Sequence, residues 1–479
     1  MIAAVMLSTV ASAPLGSEVT IYNQGFALIK EQRELNLKEG NQEVLVEDVA
    51  QRIETDSVGI RSLSAPGSFS VIEQNYRFDL INVQEILNRS VGKEIILTRY
   101  SANGTKEETR GTLLTAPSAI IDGPNGQNRT YSGLVLRAND GRVLLNPSGE
   151  ITVTSIPEGM ISKPSLVWLI NSARSGANKI ELSYITQGMS WTANYVLALD
   201  GTGKIGDLKG WVTLVNTSGA IFKDSKLKLL AGEVFRQQRP GQFAGGRGGG
   251  AVEMMMKADA GMTQEQFAEY HLYSTPRPVT MAANEQKQIS LLEGTNVPVS
   301  KKLVVDATRG YGYWRSQEEG VVGSGPIKPL VLIEFKNDKA SNMGMPLPAG
   351  SVKVFQRDSS GSLQMLGEAG INHTPRDEKI SLPVGRSFDI VAERKRSNFE
   401  WLGRKRPRDG TREVFEIEVR NRKETPETVN VIERSWGEWA ITKTSDKWEK
   451  LDSNTFEWVV TLKPGEVKKI TYTLETYWP

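Results

Sequence analysis

A period-two alternation of apolar and polar residues, broken at short intervals by Gly, Asn, Asp or Pro, runs through this chain and leaves few folds open to it. The C-terminal stretch TFEWVVTLKPGEVKKITYTLETYW shows it most clearly. Phe456, Trp458, Val460 and Leu462 fall on one face of a strand, Pro464-Gly465 turns the chain, and Ile470, Tyr472 and Leu474 return along the same face. Successive side chains on a strand point to opposite sides, so this spacing buries one face of a sheet and leaves the other in water. A hairpin of this kind closes a two-sheet sandwich. Helical spacing is scarce; INVQEILNRSV, with Ile81, Val83, Ile86 and Leu87 on one side, is the best short helix. The chain therefore reads as all-β: immunoglobulin-like sandwich domains plus a small SH3-like or Sm-like barrel.

The organisation follows from where the turn signals cluster. Residues 14–75 form an N-terminal β segment expected to pack with the central domain. Residues 76–157 combine the short helix with about five short strands, the composition of a small barrel. Residues 158–330 make a central sandwich and 331–479 a C-terminal one. Three strands end on an asparagine before a polar turn, at Asn216, Asn337 and Asn421, which hints at a repeated sandwich plan.

Composition narrows the chemistry. The 479 residues contain no cysteine, which removes disulfides, thiolate metal sites and cysteine nucleophiles together. With 58 basic and 56 acidic residues, the net charge of +2 points to no polyanionic partner, and no nucleic-acid binding is expected. There are two histidines, His271 and His373, so the H-E-x-x-H zinc motif is impossible, and each is read as a surface or hydrogen-bonding residue beside a turn. No G-x-S-x-G or Walker sequence occurs. No catalytic residue, cofactor or metal is assigned.

The stretch PGQFAGGRGGGAVEMMMKADAGM has neither the following helix of a dinucleotide fingerprint nor the repeated arginines of an RNA-binding segment, and reads as a flexible surface loop over 236–262. In QGMSWTANYVLAL, Trp191 and Tyr195 share a strand face and read as core anchors, a sugar-binding platform being the alternative. The strongest pointer to a partner is RKRSNFEWLGRKRPRDGTR, 394–412, with eight basic residues against Glu400 and Asp409. Arg394, Lys395, Arg396, Trp401, Arg404, Lys405, Arg406 and Arg408 make a candidate patch for an anionic ligand such as a glycan or lipid headgroups; a solvated hairpin tip guarded by charge is the competing reading.

The N-terminus, MIAAVMLSTVASAPLG, has an apolar stretch and a small-residue site, Ala11-Ser12-Ala13, before Pro14. It reads as the remnant of a secretory signal peptide, 1–13, cleaved after Ala13, a short buried apolar strand being the alternative. No apolar run approaches the roughly 18 residues of a membrane-spanning helix. Export together with the absence of cysteine favours a bacterial protein located outside the cytoplasm: periplasmic, on the outer surface or secreted.

The runs KPSLVWLINSARSGANKIELSYITQGMSWTANYVLALD, GWVTLVNTSGAIFKDSKLKLLAGEV, EYHLYSTPRPVTM and MGMPLPAGSVKVFQRDSSGSLQMLGEAGINHTPRDEKISLPVG resemble the bacterial family termed domain of unknown function 4139. The matches extend from about Val19 to the C-terminus, and the W-T-A-N-Y and P-L-P-A-G-x-V-x-V contexts are the specific ones. The similar mucoidy-inhibitor-A-like proteins carry a coiled coil before this domain, where this chain has the small barrel. The resemblance implies an exported, β-rich protein and supplies no catalytic residue. The resulting expectation is a non-catalytic envelope protein that binds or scaffolds an envelope protein, glycan or anionic lipid surface. The alternative is a carboxylate-dependent hydrolase acting on envelope glycans.

Overall fold

A computed structural model of the chain describes residues 9–78, 82–100, 105–121, 129–155, 163–236, 262–307, 324–341, 343–402 and 409–478. The class is all-β, as the alternation requires. The single α-helix among the described residues, Val83–Asn88, starts at Asn82, whose side chain accepts the Glu85 N–H.

Six sheets build three cores. The largest core lies between a four-stranded sheet, an eight-stranded sheet and a five-stranded sheet. Segment 14–75 contributes Gly16–Tyr22 and Phe26–Leu37 to the eight-stranded sheet, where Phe26–Leu37 pairs antiparallel with Gly176–Gln187 over its full length. Residues 82–155 carry the short helix and seven strands in one sheet around Leu87, Ile95, Leu97, Leu113, Leu134 and Leu136. Its end strands, Ala119–Ile121 and Val143–Leu145, are not paired with each other among the described residues. A true sandwich closes the chain: a six-stranded sheet carrying Val429, Val431, Phe456 and Trp458 faces a five-stranded sheet carrying Phe415, Ile417, Ile470 and Tyr472.

The boundary expected at 330/331 does not separate two cores. Leu330–Lys336 lies in the six-stranded sheet of the last sandwich, yet its Ile333 and Phe335 are buried in the first core. Gly350–Arg357 joins the central sheet, parallel to Met189–Leu199. That pairing joins residues far apart in sequence, and neither strand's alternation records its neighbour.

The three asparagines explain how the chain changes sheets. Each is fully buried at the end of a strand, and each precedes a crossing to the facing sheet. Asn216 donates to the carbonyls of Ala220 and Ala282, Asn337 to those of Met345 and Pro375, and Asn421 to those of Thr425, Leu462 and Lys463. The Oδ1 atoms accept backbone N–H groups of Ser218, Gly344 and Lys423. A strand leaving one ladder orphans backbone groups at the corner, and a carboxamide supplies donors and an acceptor in one side chain. In all three cases the strand after the corner pairs parallel: Phe222–Ala231 with Gly16–Tyr22, Gly350–Arg357 with Met189–Leu199, and Glu427–Arg434 with Ser300–Asp306.

Candidate functional site

Two places gather the residues that the sequence singles out. The first is a knot in the large core. Alternation on Met189–Leu199 turns Trp191 and Tyr195 inward; both are buried, so they are core anchors and not an exposed platform. Trp191 Nε1 donates to the Ile21 carbonyl at 3.1 Å. Tyr195 donates to the Pro348 carbonyl at 2.8 Å, and Tyr273 to the Pro346 carbonyl at 3.0 Å. Burial raises the pKa of both tyrosines, so they stay protonated donors. Leu347 is buried and exchanges backbone hydrogen bonds with Thr374. The Ala349 N–H donates to His373 Nδ1 at 3.2 Å. Gly350 must be glycine, because a Cβ there would sit 2.2 Å from the Ala193 carbonyl oxygen. The W-T-A-N-Y, E-Y-H-L-Y, P-L-P-A-G and I-N-H-T-P stretches thus interlock at one point.

The same knot brings the two histidines within electrostatic reach of each other. His271 Nδ1 lies 2.8 Å from Gln264 Nε2. Burial, and secondarily the electrostatic interaction with His271, holds the imidazole of His373 below its ordinary value. Its Nδ1 also faces a backbone donor, which a protonated ring cannot accept. The unfolded chain therefore binds this proton more readily than the folded one, and stability rises with pH across the window. We expect the contribution to be complete above about pH 6.5, the ordinary imidazole value, and to be lost as pH falls through the lowered folded value. Melting curves between about pH 7 and 5 should fall more steeply for the wild type than for His373→Asn, whose carbonyl oxygen does not titrate. Equal slopes would show that His373 is no part of the pH dependence.

The second place is the hairpin Ile390–Trp401/Asp409–Asn421, at the end of the last sandwich. A bulge between Arg396 and Asn398 resets the alternation, so Arg394, Arg396, Phe399 and Trp401 share the inward face while Lys395 points outward and is exposed. Arg394 is buried; its Nε donates to Glu433 at 2.6 Å, Nη2 reaches Tyr472 Oη at 3.5 Å, and the guanidinium lies 3.8 Å from the centre of the Phe415 ring. Burial opposes the guanidinium charge, yet the Glu433 carboxylate and Tyr472 outweigh it and raise the pKa. Arg396 is also buried, with Glu413 at 2.9 Å and the Phe399 ring beneath it.

These positions correct the expected patch. Arg394 and Arg396 are internal counter-ions, because they continue the inward alternation of Ile390 and Ala392 and so lie between the sheets, and they do not join an exposed cluster. Trp401, 42% exposed, packs edge-on against Phe399 with ring centres 5.4 Å apart. Arg404, Lys405, Arg406 and Arg408 lie outside the described residues. The pairing of the two strands extends as far as the Leu402 N–H, which donates to the Gly410 carbonyl at 3.0 Å. Arg412 is held by Glu400 and Glu475. On the outer face Glu393, Arg420, Glu418, Lys469 and Glu416 form an alternating ladder of ion pairs. Glu433 and Glu413 were missed by sequence reasoning, and Tyr472 was read as a core residue without its contact to Arg394. The available signal was two arginines spaced i, i+2 on the face that also carries Ala392, which implies buried partners across the sandwich.

Buried carboxylates elsewhere are tied to cations as well: Glu31 to Arg33, Glu334 to Lys379 and Glu457 to Lys302. Among the described residues no three His, Asp or Glu side chains gather as metal ligands, and no helix is long and apolar enough to cross a membrane. The glycine- and methionine-rich stretch lies outside the described residues except at its ends. Arg236 pairs with Glu54 at 2.5 Å over the Phe26 ring, and Met262 is buried, its N–H donating to the Leu291 carbonyl. No family model and no curated protein matches the chain.

Proposed function

We propose that this is an exported, non-catalytic binding or scaffolding protein of the bacterial envelope, and that the tip of the 390–421 hairpin is its contact with anionic envelope material. The observation that carries this reading is Trp401, exposed and braced by Phe399 where the hairpin enters the Arg404–Arg408 cations. Arg394, Arg396 and Arg412 are neutralised within the fold, so the reading rests on the exposed Lys395 and on the four cations that the sequence places between Leu402 and Asp409. An indole at the rim adds apolar contact with a sugar ring or the lipid interface. The signal-peptide pattern supports export, and the internal pairing of the buried carboxylates supports a non-catalytic role over the hydrolase alternative.

Each exposed cation contributes about 1 kcal/mol near an anionic surface, so binding should be weak and sensitive to salt. Replacing Arg404, Lys405 and Arg406 with serine should abolish co-sedimentation with anionic vesicles or acidic glycan at about 20 mM salt, where the screening length exceeds about 10 Å, and leave the melting curve unchanged. A wild-type protein that stays in the supernatant under those conditions would reduce the tip to a solvated turn.

A further inference from the structure

The residues that read as a processing site also lace two sheets together. Thr9 and Val10 run parallel to Val44 and Leu45 at the edge of the four-stranded sheet, and the Ala11 N–H donates to the Leu45 carbonyl at 2.9 Å. At the next residue the chain passes to the eight-stranded sheet. The Ser12 N–H donates to the Glu34 carbonyl at 3.0 Å, the Glu34 N–H donates to the Ser12 hydroxyl at 2.8 Å, and the Leu15 N–H donates to the Gln32 carbonyl at 2.7 Å. Beneath this seam Arg33 is 1% exposed, ion-paired with Glu31 and bonded to the Glu47 carbonyl, and its Nη1 reaches the Ser12 carbonyl at 3.4 Å. Ala11 packs against the large core, while Val10 is 54% exposed.

Cleavage after Ala13 would remove Thr9–Ala13 from this seam. Strand Gly40–Glu47 would lose its parallel neighbour, the Glu34 N–H would lose the Ser12 hydroxyl, and water would reach Arg33. A sheet edge with unpaired backbone groups is the arrangement to which an extended peptide adds as a strand. The segment seated there defines what fits. The peptide runs parallel to Gly40–Glu47, has a small side chain at the position of Ala11 and a hydroxyl at that of Ser12, and is unrestricted at the exposed position of Val10.

We propose that this seam is a strand-acceptor groove, filled in cis by Thr9–Ala13 before processing and in trans, afterwards, by an extended small-residue segment of an envelope protein. The in-trans half rests on the export reading above; the groove itself does not. The protein starting at Pro14 should melt at a lower temperature than the chain starting at Met1 and exchange its Glu34 amide faster. A synthetic peptide of residues 8–14, STVASAP, should raise the melting temperature of the shorter protein with the logarithm of its concentration once binding saturates, and leave the longer one unaffected. The peptide carrying Ala11→Phe should bind about tenfold more weakly or worse, because the half-buried place of Ala11 against the core has no room for a ring. If the shorter protein does not fold, Ser12→Pro in the full chain, which removes the N–H donated to Glu34, should let the peptide displace the cis segment. Identical melting of the long and short proteins, or equal binding of both peptides, would overturn the groove. N-terminal sequencing of protein from cells reads the processing step separately, and retention of Thr9–Ala13 there would overturn the in-trans occupant.

Discussion

Trp191→Ala should destabilise the protein by about 3–5 kcal/mol, the range for truncating a large buried aromatic side chain. Trp191 is one of six inward residues on Met189–Leu199, edge-on to Tyr273 at 6.4 Å, with its indole N–H spent on the Ile21 carbonyl. Truncation would empty volume between the five-stranded and eight-stranded sheets and strip that buried carbonyl of its donor. Trp191→Phe should cost less, because it keeps most of the volume and loses the hydrogen bond. Thermal or denaturant melts of the two variants check this. A Trp191→Ala protein as stable as wild type would mean that the two sheets do not meet at this point.

A loss of similar size is expected at Glu433. Glu433→Ala leaves the Arg394 guanidinium between two sheets with Tyr472 as its remaining polar neighbour from the trio, and breaking a buried pair from one side costs about 3–5 kcal/mol. Replacing both members by apolar residues, Arg394→Met with Glu433→Leu, should recover most of the loss, since desolvation of the pair disappears along with its attraction. Denaturant titrations of the single and double variants give the comparison directly. If the single variant loses less than about 1 kcal/mol, the pair behaves as a solvated surface bridge.

Legibility in the sequence followed the range of the interaction that produces each feature. The strands of the last sandwich were visible in Phe456, Trp458, Val460 and Leu462, because alternation is a local record of which face is buried. Trp191 and Tyr195 were placed in the core for the same reason. The asparagines at 216, 337 and 421 stood out as strand ends, but their task of bonding carbonyls from other segments could not be read locally. The basic cluster misled because charge was counted along the chain. Plain alternation from Ile390 and Ala392 turns Arg394 and Arg396 inward, and the bulge near Ser397 brings Phe399 and Trp401 onto the same face. The histidines looked independent because their proximity depends on Tyr270–Ser274 and the turn after Ile371 meeting at the Pro346–Gly350 loop.

Side-chain periodicity and turn chemistry by themselves determined the all-β class, the short helix at Val83–Asn88 and the inward faces of the long strands, and composition excluded cysteine and H-E-x-x-H zinc chemistry. Only the tertiary structure decided which strands are neighbours, that Gly350–Arg357 lies beside Met189–Leu199, and that Arg394 and Arg396 are counter-ions inside a sandwich. It also decided that Ala11-Ser12-Ala13 sits in a seam between two sheets. The physical reason is the same throughout. A strand's pattern fixes which side is buried, whereas parallel pairing and buried ion pairs join segments far apart in sequence, and their energy depends on partners that no local stretch of sequence specifies.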